Sequence, residues 1–385
     1  MSSKDVAVFG LELPARTLAC VAASPKPPGV APDPIHRFVA ATASPRGNNS
    51  VNLLEYHEGR KVVECAAVWN HPSEVLHLAL TPLAYRSYFL TTIHPSFERS
   101  GAAEVSFFVL PQSDEGLHEL RPIGSAALDA VAVALQLPSD ATTVGAASTP
   151  PVLNAAAVCR SGEVAFLRVE EGLDRLTVVS TAAVSDEQKN SLHAVGAATW
   201  DLANRYCAYV AAGNASSVYR VDMREPLPEL RAELVCPRAH NGAAVRRLTN
   251  SIGRLHTLLT AGEDGVVRAW DVRRTGECLL SFLAHDHFVL DVAVNEHQPE
   301  LVATVGADRS TRLWRVPALG ARRAAAAGEG GSTTAASLLR RSEHRDTVCA
   351  ATWSGPWVYA AASFDGGVTI DQVPFDMRSQ LLISA

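Results

Sequence analysis

The chain has 385 residues, 47% hydrophobic and 19% charged, so it holds ample material for a core and no compositional sign of global disorder. Its formal net charge of −6 argues against a general nucleic-acid or anionic-membrane surface. Seven cysteines, scattered, odd in number and free of any CxxC pair, read as reduced thiols of the cytosol or nucleus, not as a disulfide framework or zinc site.

The opening residues 1–10 contain too short an apolar run for a signal peptide. Val6 to Leu13 reads as a strand and 25–34 as a Pro-rich loop; Arg37–Thr42, Ser50–Tyr56 and Lys61–Val68 complete a first four-stranded unit over 6–71. Glu74–Leu80, Tyr88–Thr92 and Glu104–Leu110 supply a second, 73–123, with another apolar residue where a tryptophan is expected. A third, 126–182, is weaker: Leu128–Leu135, Val152–Val158 and Val164–Val169, with a helix as the rival reading for Leu128–Leu137. The fourth, 193–238, has Val195–Trp200, Tyr206–Ala212 and Ser217–Asp222, with Ala215 and Val221 in place of a turn aspartate and a tryptophan.

The pattern is clearest in the fifth and sixth units, 240–284 and 285–317. In Leu258–Asp271 and in Val302–Trp314, an apolar run containing Thr260 or Thr304 is followed four residues later by Asp264 or Asp308, and six further on by Trp270 or Trp314. The aspartates are 44 residues apart, and the preceding His240 and His285 are 45 apart. Apolar run, tight Asp/Gly turn and alternating strand make a β-hairpin, and a period near 45 is that of a WD-repeat propeller blade. Seven blades of about 45 residues need roughly 315 residues. The low-complexity insertion 318–340, Ala/Gly-rich, reads as a flexible excursion before the last unit, 344–385, which carries His344 and Asp365. The expectation is an all-β chain, one seven-bladed WD-repeat β-propeller over 1–385.

The chain resembles the EARP- and GARP-complex-interacting proteins of endosomal traffic. The resemblance is carried by Val8-Phe-Gly-Leu-Glu-Leu-Pro-Ala-Arg-Thr-Leu18, by Glu74-Val-Leu-His-Leu-Ala79 with Leu90-Thr-Thr92, and by Glu343–Ala360 followed by Ser363–Pro374, all in the family's order. The insertion is Ala/Gly-rich where the family's is acidic, Val221-Asp-Met-Arg224 replaces its WDTR, and blades two and three match poorly. The resemblance implies a non-catalytic scaffold in the cytoplasm, peripheral at endosomes and the trans-Golgi network. It implies binding to subunits of vesicle-tethering complexes, with a small GTPase as a further partner, and support of endosomal recycling and retrograde transport. It also implies that His240, Thr260, Asp264 and Trp270, with His285, Thr304, Asp308 and Trp314, and His344 with Asp365, form buried hydrogen-bonded chains that hold blades together.

No catalytic residue, metal ligand or cofactor site is expected. His285-Asp-His287 lacks a third ligand at suitable spacing. Gly328–Ser332 has no lysine and no strand-to-helix setting, and no Gly-x-Ser-x-Gly elbow occurs. Asn48 and Asn214 match the glycosylation pattern but, with no secretion signal expected, should stay unmodified. The basic residues come in pairs without interleaved aromatics, so no nucleic-acid partner is expected, and membrane association should come only through partners. Trp270-Asp-Val-Arg273 supports an alternative: propellers that serve as substrate receptors of cullin–RING ubiquitin ligases carry such a motif, with Arg273 as the candidate partner contact.

Overall fold

The computed structural model describes residues 6–21, 35–82, 88–95, 103–110, 120–128, 130–135, 153–159, 161, 163–169, 176–185, 195–204, 207–212, 216–222, 229–319 and 336–384. Nearly all of the regular structure is strand. The first sheet contains β2 (Ala15–Val21), β3 (Ile35–Thr42), β4 (Asn49–His57) and β5 (Val62–His71); the second contains β6 (His77–Pro82), β7 (Tyr88–Pro95), β8 (Ala103–Leu110) and β9 (Arg121–Ala127). An eight-stranded sheet follows. One half is β10 (Ala130–Leu135), β11 (Leu153–Cys159), β12 (Glu163–Val169) and β13 (Leu176–Ser185). The other half is β14 (Val195–Trp200), β15 (Cys207–Ala212), β16 (Ser217–Asp222) and β17 (Glu229–Cys236), joined to the first by a parallel pairing of β13 with β17.

Two further sheets are β18 (Val245–Ser251), β19 (Arg254–Gly262), β20 (Val266–Asp271), β21 (Cys278–Leu283), and β22 (Val289–Val294), β23 (Leu301–Gly306), β24 (Ser310–Arg315), β25 (Ser337–Glu343). The last joins β26 (Val348–Ser354), β27 (Val358–Ser363) and β28 (Gly367–Gln372) to β1 (Ala7–Gly10), and the chain ends in helix α1 (Phe375–Ser384). The first strands β2, β6, β10, β14, β18, β22 and β26 stand side by side in that order, and β26 lies against β2, so the sheets close into a ring.

The hydrophobic pattern explains the stacking. The second strands β15, β23 and β27 are buried at every position, because each lies between two neighbouring sheets; such strands read as continuous apolar runs. The outer strand β5 instead alternates over most of its length, as a strand on the rim should. Six of the first strands carry a register shift at their start, skipping Arg16, Val131, Gly196, Arg246, Leu290 and Cys349. A bulge at this point increases local twist.

Three expectations need correction. The strand read at Val6–Leu13 does not open the first sheet: β1 pairs antiparallel with β28, Ala7 opposite Ile370 and Gly10 opposite Gly367, and β2 takes the place assigned to it. The sixth unit does not end at 317, since β25 pairs with β24; residues 337–340 of the expected insertion are therefore strand, and 320–335 lie outside the described residues. The strand reading of Leu128–Leu135 holds over Ala130–Leu135, where β10 pairs with β11 and gains its backbone partners, so the rival helix does not form there. The final unit is not wholly β: α1 packs Leu381 into the last sheet's core, and its Arg378 reaches Glu58 of the first sheet at 3.6 Å.

Both termini thus cross the same seam. Deleting residues 1–10 should bare the edge of β28 and expose Val368 and Ile370, which are fully buried. The expected outcome is a lower melting temperature with self-association in gel filtration; an unchanged melt and a monomeric profile would contradict this closure.

Candidate functional site

The β19–β20 hairpin brings four of the expected residues together. The Trp270 indole N–H donates to Thr260 Oγ1 at 3.0 Å, the Thr260 hydroxyl faces His240 Nε2 at 2.8 Å, and His240 Nδ1 faces Asp264 Oδ1 at 2.7 Å. The β23–β24 hairpin repeats the set: Trp314 to Thr304 at 3.0 Å, Thr304 to His285 at 2.8 Å, and His285 to Asp308 at 2.8 Å. A neutral imidazole protonated on Nδ1 satisfies every step, with Thr donating to Nε2 and Nδ1 donating to the carboxylate. Burial pushes both histidines below their usual pKa, which favours that neutral form. Both rings are 0% exposed and their nitrogens are spent internally, so the chains have nothing to offer a substrate.

Two glycines make room for the imidazoles. A Cβ on Gly262 would lie 2.2 Å from His240 Nδ1, and one on Gly306 would lie 2.7 Å from His285 Nδ1. Burial alone would raise the carboxyls, but hydrogen bonds outweigh it: Arg268 and His240 hold Asp264 low, and Ser310, His285 and the Asp286 amide hold Asp308 at about 2.

Several members escaped the sequence reading. Arg268 donates to Asp264 at 2.7 Å and Arg312 to Asp308 at 2.9 Å. Each arginine stands four residues after its aspartate, a shared spacing that could have shown them. At the end of β5 in the first sheet, His71 Nε2 lies 3.1 Å from Thr92 Oγ1 on β7 of the second, 21 residues away, close to the intervals of the clear repeats. There His94 occupies the position of Gly262, and the His71 ring meets it edge-on at 5.1 Å.

His344 and Asp365 are not joined in this way. Ser363 stands where Gly262 and Gly306 stand, so its side chain fills the imidazole's space; its hydroxyl donates to Asp365, while His344 Nε2 bonds Thr311 Oγ1 at 2.8 Å. Ala361 and Asp371 replace the threonine and tryptophan. Asp371 instead accepts from the Tyr359 hydroxyl and pairs with Arg340, both at 3.0 Å.

Arg273 lies at the end of β20 with its side chain 62% exposed. Its Nε and Nη2 grip Asp271 at 2.9 and 2.6 Å, a two-point pair that holds the Asp271 carboxyl at about 2. Among the described residues, no group of three or more His, Cys, Asp or Glu is placed to hold a metal ion, and no helix is long and apolar enough to cross a membrane.

A closed ring of antiparallel sheets with the His–Thr–Asp–Trp chain in its hairpins defines a WD-repeat β-propeller. Family models agree: the EIPR1 beta-propeller model matches residues 3–132, and the WD domain, G-beta repeat model matches 276–315. The human EARP and GARP complex-interacting protein 1 is 20% identical across 98% of each chain. An Arabidopsis thaliana relative, WD repeat-containing protein DWA2, is 24% identical over 88% of this chain and 90% of its own length. The Caenorhabditis elegans EARP-interacting protein 1 is 35% identical over 31% of this chain and 36% of its own. The resemblance to the EARP- and GARP-complex-interacting family is borne out from end to end.

Replacing Asp264 with Ala should strand His240 Nδ1 and Arg268 and cost about 1–3 kcal/mol. Gly262→Ala should cost a similar amount, about 1–3 kcal/mol, through overpacking against the same ring; a thermal melt of either variant at the parent's temperature would refute the placement. Stability should also depend on pH. In the unfolded chain the histidines titrate near about 6.5, whereas burial lowers His240, His285 and His344 below that value and His71 to about 4. The unfolded state then binds protons that the fold refuses, so stability is full above about pH 6.5 and falls toward about pH 4. Asp371, raised by burial, gives a small opposing trend at the acid end. Melting temperatures at pH 8, 7, 6 and 5 check this; a flat profile would contradict it.

Proposed function

We propose that this chain is a non-catalytic scaffold, a single seven-bladed propeller that binds multisubunit vesicle-tethering complexes of the EARP and GARP type. In this reading the eight-stranded sheet counts as two blades, each antiparallel and each placing its own first strand, β10 or β14, in the ring. The blades then run 15–71, 77–127, 130–185, 195–236, 245–283, 289–343 and 348–372 with β1. The observation that carries the function is the alignment with the human EARP and GARP complex-interacting protein 1 over 98% of both chains.

The scaffold would act at endosomes and the trans-Golgi network, peripheral to the membrane through its partners, in recycling and retrograde transport. Its binding surface consists of loops and rims, since its histidine chains are sealed inside the blades. Affinity isolation of the tagged full-length chain, read by mass spectrometry, should recover tether subunits at near-stoichiometric abundance, and equally from an Arg273→Ala variant. Recovery of cullin–RING adaptor subunits that is lost in Arg273→Ala would replace this reading with the ligase one.

A further inference from the structure

An outer strand turns half of its backbone hydrogen-bonding groups away from its sheet, and proteins guard such an edge with charge, proline, shortness or a partner. Most outer strands of this ring carry one of these. β5 has Glu64, β9 has Pro122, β25 has Arg341 and Glu343, and β1 is only four residues long. Two outer strands of full length, β13 and β21, contain neither a charged residue nor a proline. β13 already has an edge partner, since Ala183–Ser185 pairs in parallel with Glu229–Arg231 of β17. Among the described residues β21 has none: Cys278–Leu283 ends its sheet.

The ladder shows which groups of β21 are free. Leu283 lies opposite Val266, and the next residue, Ala284, donates its amide to the Gly265 carbonyl at 2.9 Å. Bonded and unbonded pairs alternate in an antiparallel ladder. Phe282 and Leu280 therefore bond inward to β20, while Ser281 and Leu283 turn their N–H and C=O groups outward. The side chains divide in the same way. Leu280 and Phe282 pack on the core shared with the next sheet, the Phe282 ring 4.9 Å from that of Trp314. Ser281 is exposed, and Leu283 is exposed to 61%.

We propose that β21 is a self-association edge, to which a second copy of this chain adds its own β21, antiparallel, with Ser281 opposite Ser281 across a two-fold axis. A two-fold antiparallel pair sets one residue at its centre against its own copy. That residue must bond outward, which in β21 selects Ser281 in mid-strand over Leu283 at the end. Leu280 of each copy then stands opposite Phe282 of the other, and no charge meets its like. The same operation about the middle of β25 would set Arg340 against itself. With no charge to select a foreign segment, the β21 edge fits an equally neutral, unpaired strand, and the chain itself supplies one. The ladder skips Leu279, so the regular pairing spans three rungs, as many as β13 and β17 share. An edge this short gives a reversible, concentration-dependent dimer. The edge lies on the rim and does not rest on the scaffold reading.

The test is analytical ultracentrifugation of the full-length chain over a concentration series, in which the mean mass should climb from one chain toward two. Ser281→Lys and Ser281→Glu each place like charges opposite one another at the centre and should weaken association about tenfold, whereas an equal mixture of the two variants should restore it. Because Ser281 is exposed, both variants should melt at the parent's temperature, which separates loss of pairing from loss of fold. A single-chain mass at every concentration would overturn the proposal, whatever other strand the edge then accepts, and so would an association that Ser281→Lys leaves unchanged. Association of the parent without recovery in the mixture would overturn the self-facing register.

Discussion

The structure depends on one constraint: a four-stranded sheet that is apolar on both faces cannot be stable until something covers both. Its inner strands, such as β23 and β27, bury every position only because another sheet lies on each side. A row of such sheets always has two bare ends, and bending it into a ring removes them. The seam between first and last sheets therefore matters more than any single blade. Here β1, α1, the His36–Ser354 bond at 2.9 Å and the Gln372–Tyr56 bond at 3.0 Å all cross it.

Within the blades, polar groups buried by the stacking must be paired. The two clear repeats solve this with one linear chain, in which the indole donates, the hydroxyl and the imidazole each accept and donate in turn, and the carboxylate accepts. Other blades reach the same end with different residues. Tyr209 donates to Asp201 at 3.0 Å much as Tyr359 donates to Asp371, and His71 leans on Thr92. Divergence at these positions replaces one satisfied network with another, which is why blades lacking the motif still stack.

The same logic separates structure from function. Histidines beside aspartates resemble catalytic groups, yet their geometry spends every donor and acceptor inside the blade. Groups free to act lie elsewhere, on the loops and on the rims. A propeller can change these surfaces without disturbing its core, because core strands and loop residues alternate along the chain.

The period of 45 between His240 and His285, and the Thr–Asp–Trp spacing after each, determined the fold class and two of the hydrogen-bonded chains, because those contacts are local to one hairpin and its preceding loop. Arg268 and Arg312 were legible from their spacing and passed over. The ring closure was not legible, since Ala7–Gly10 pairs with residues some 360 positions away and no local pattern distinguishes that partner from β2. Nor was the failure of His344 to join Asp365, which turns on the Ser363 side chain occupying space that only glycine leaves open. The shared register of Thr17, His77, Arg247 and Asp291 belongs wholly to the tertiary structure: they stand on the first strands of four different sheets, and only the closing of the ring sets those strands around one axis.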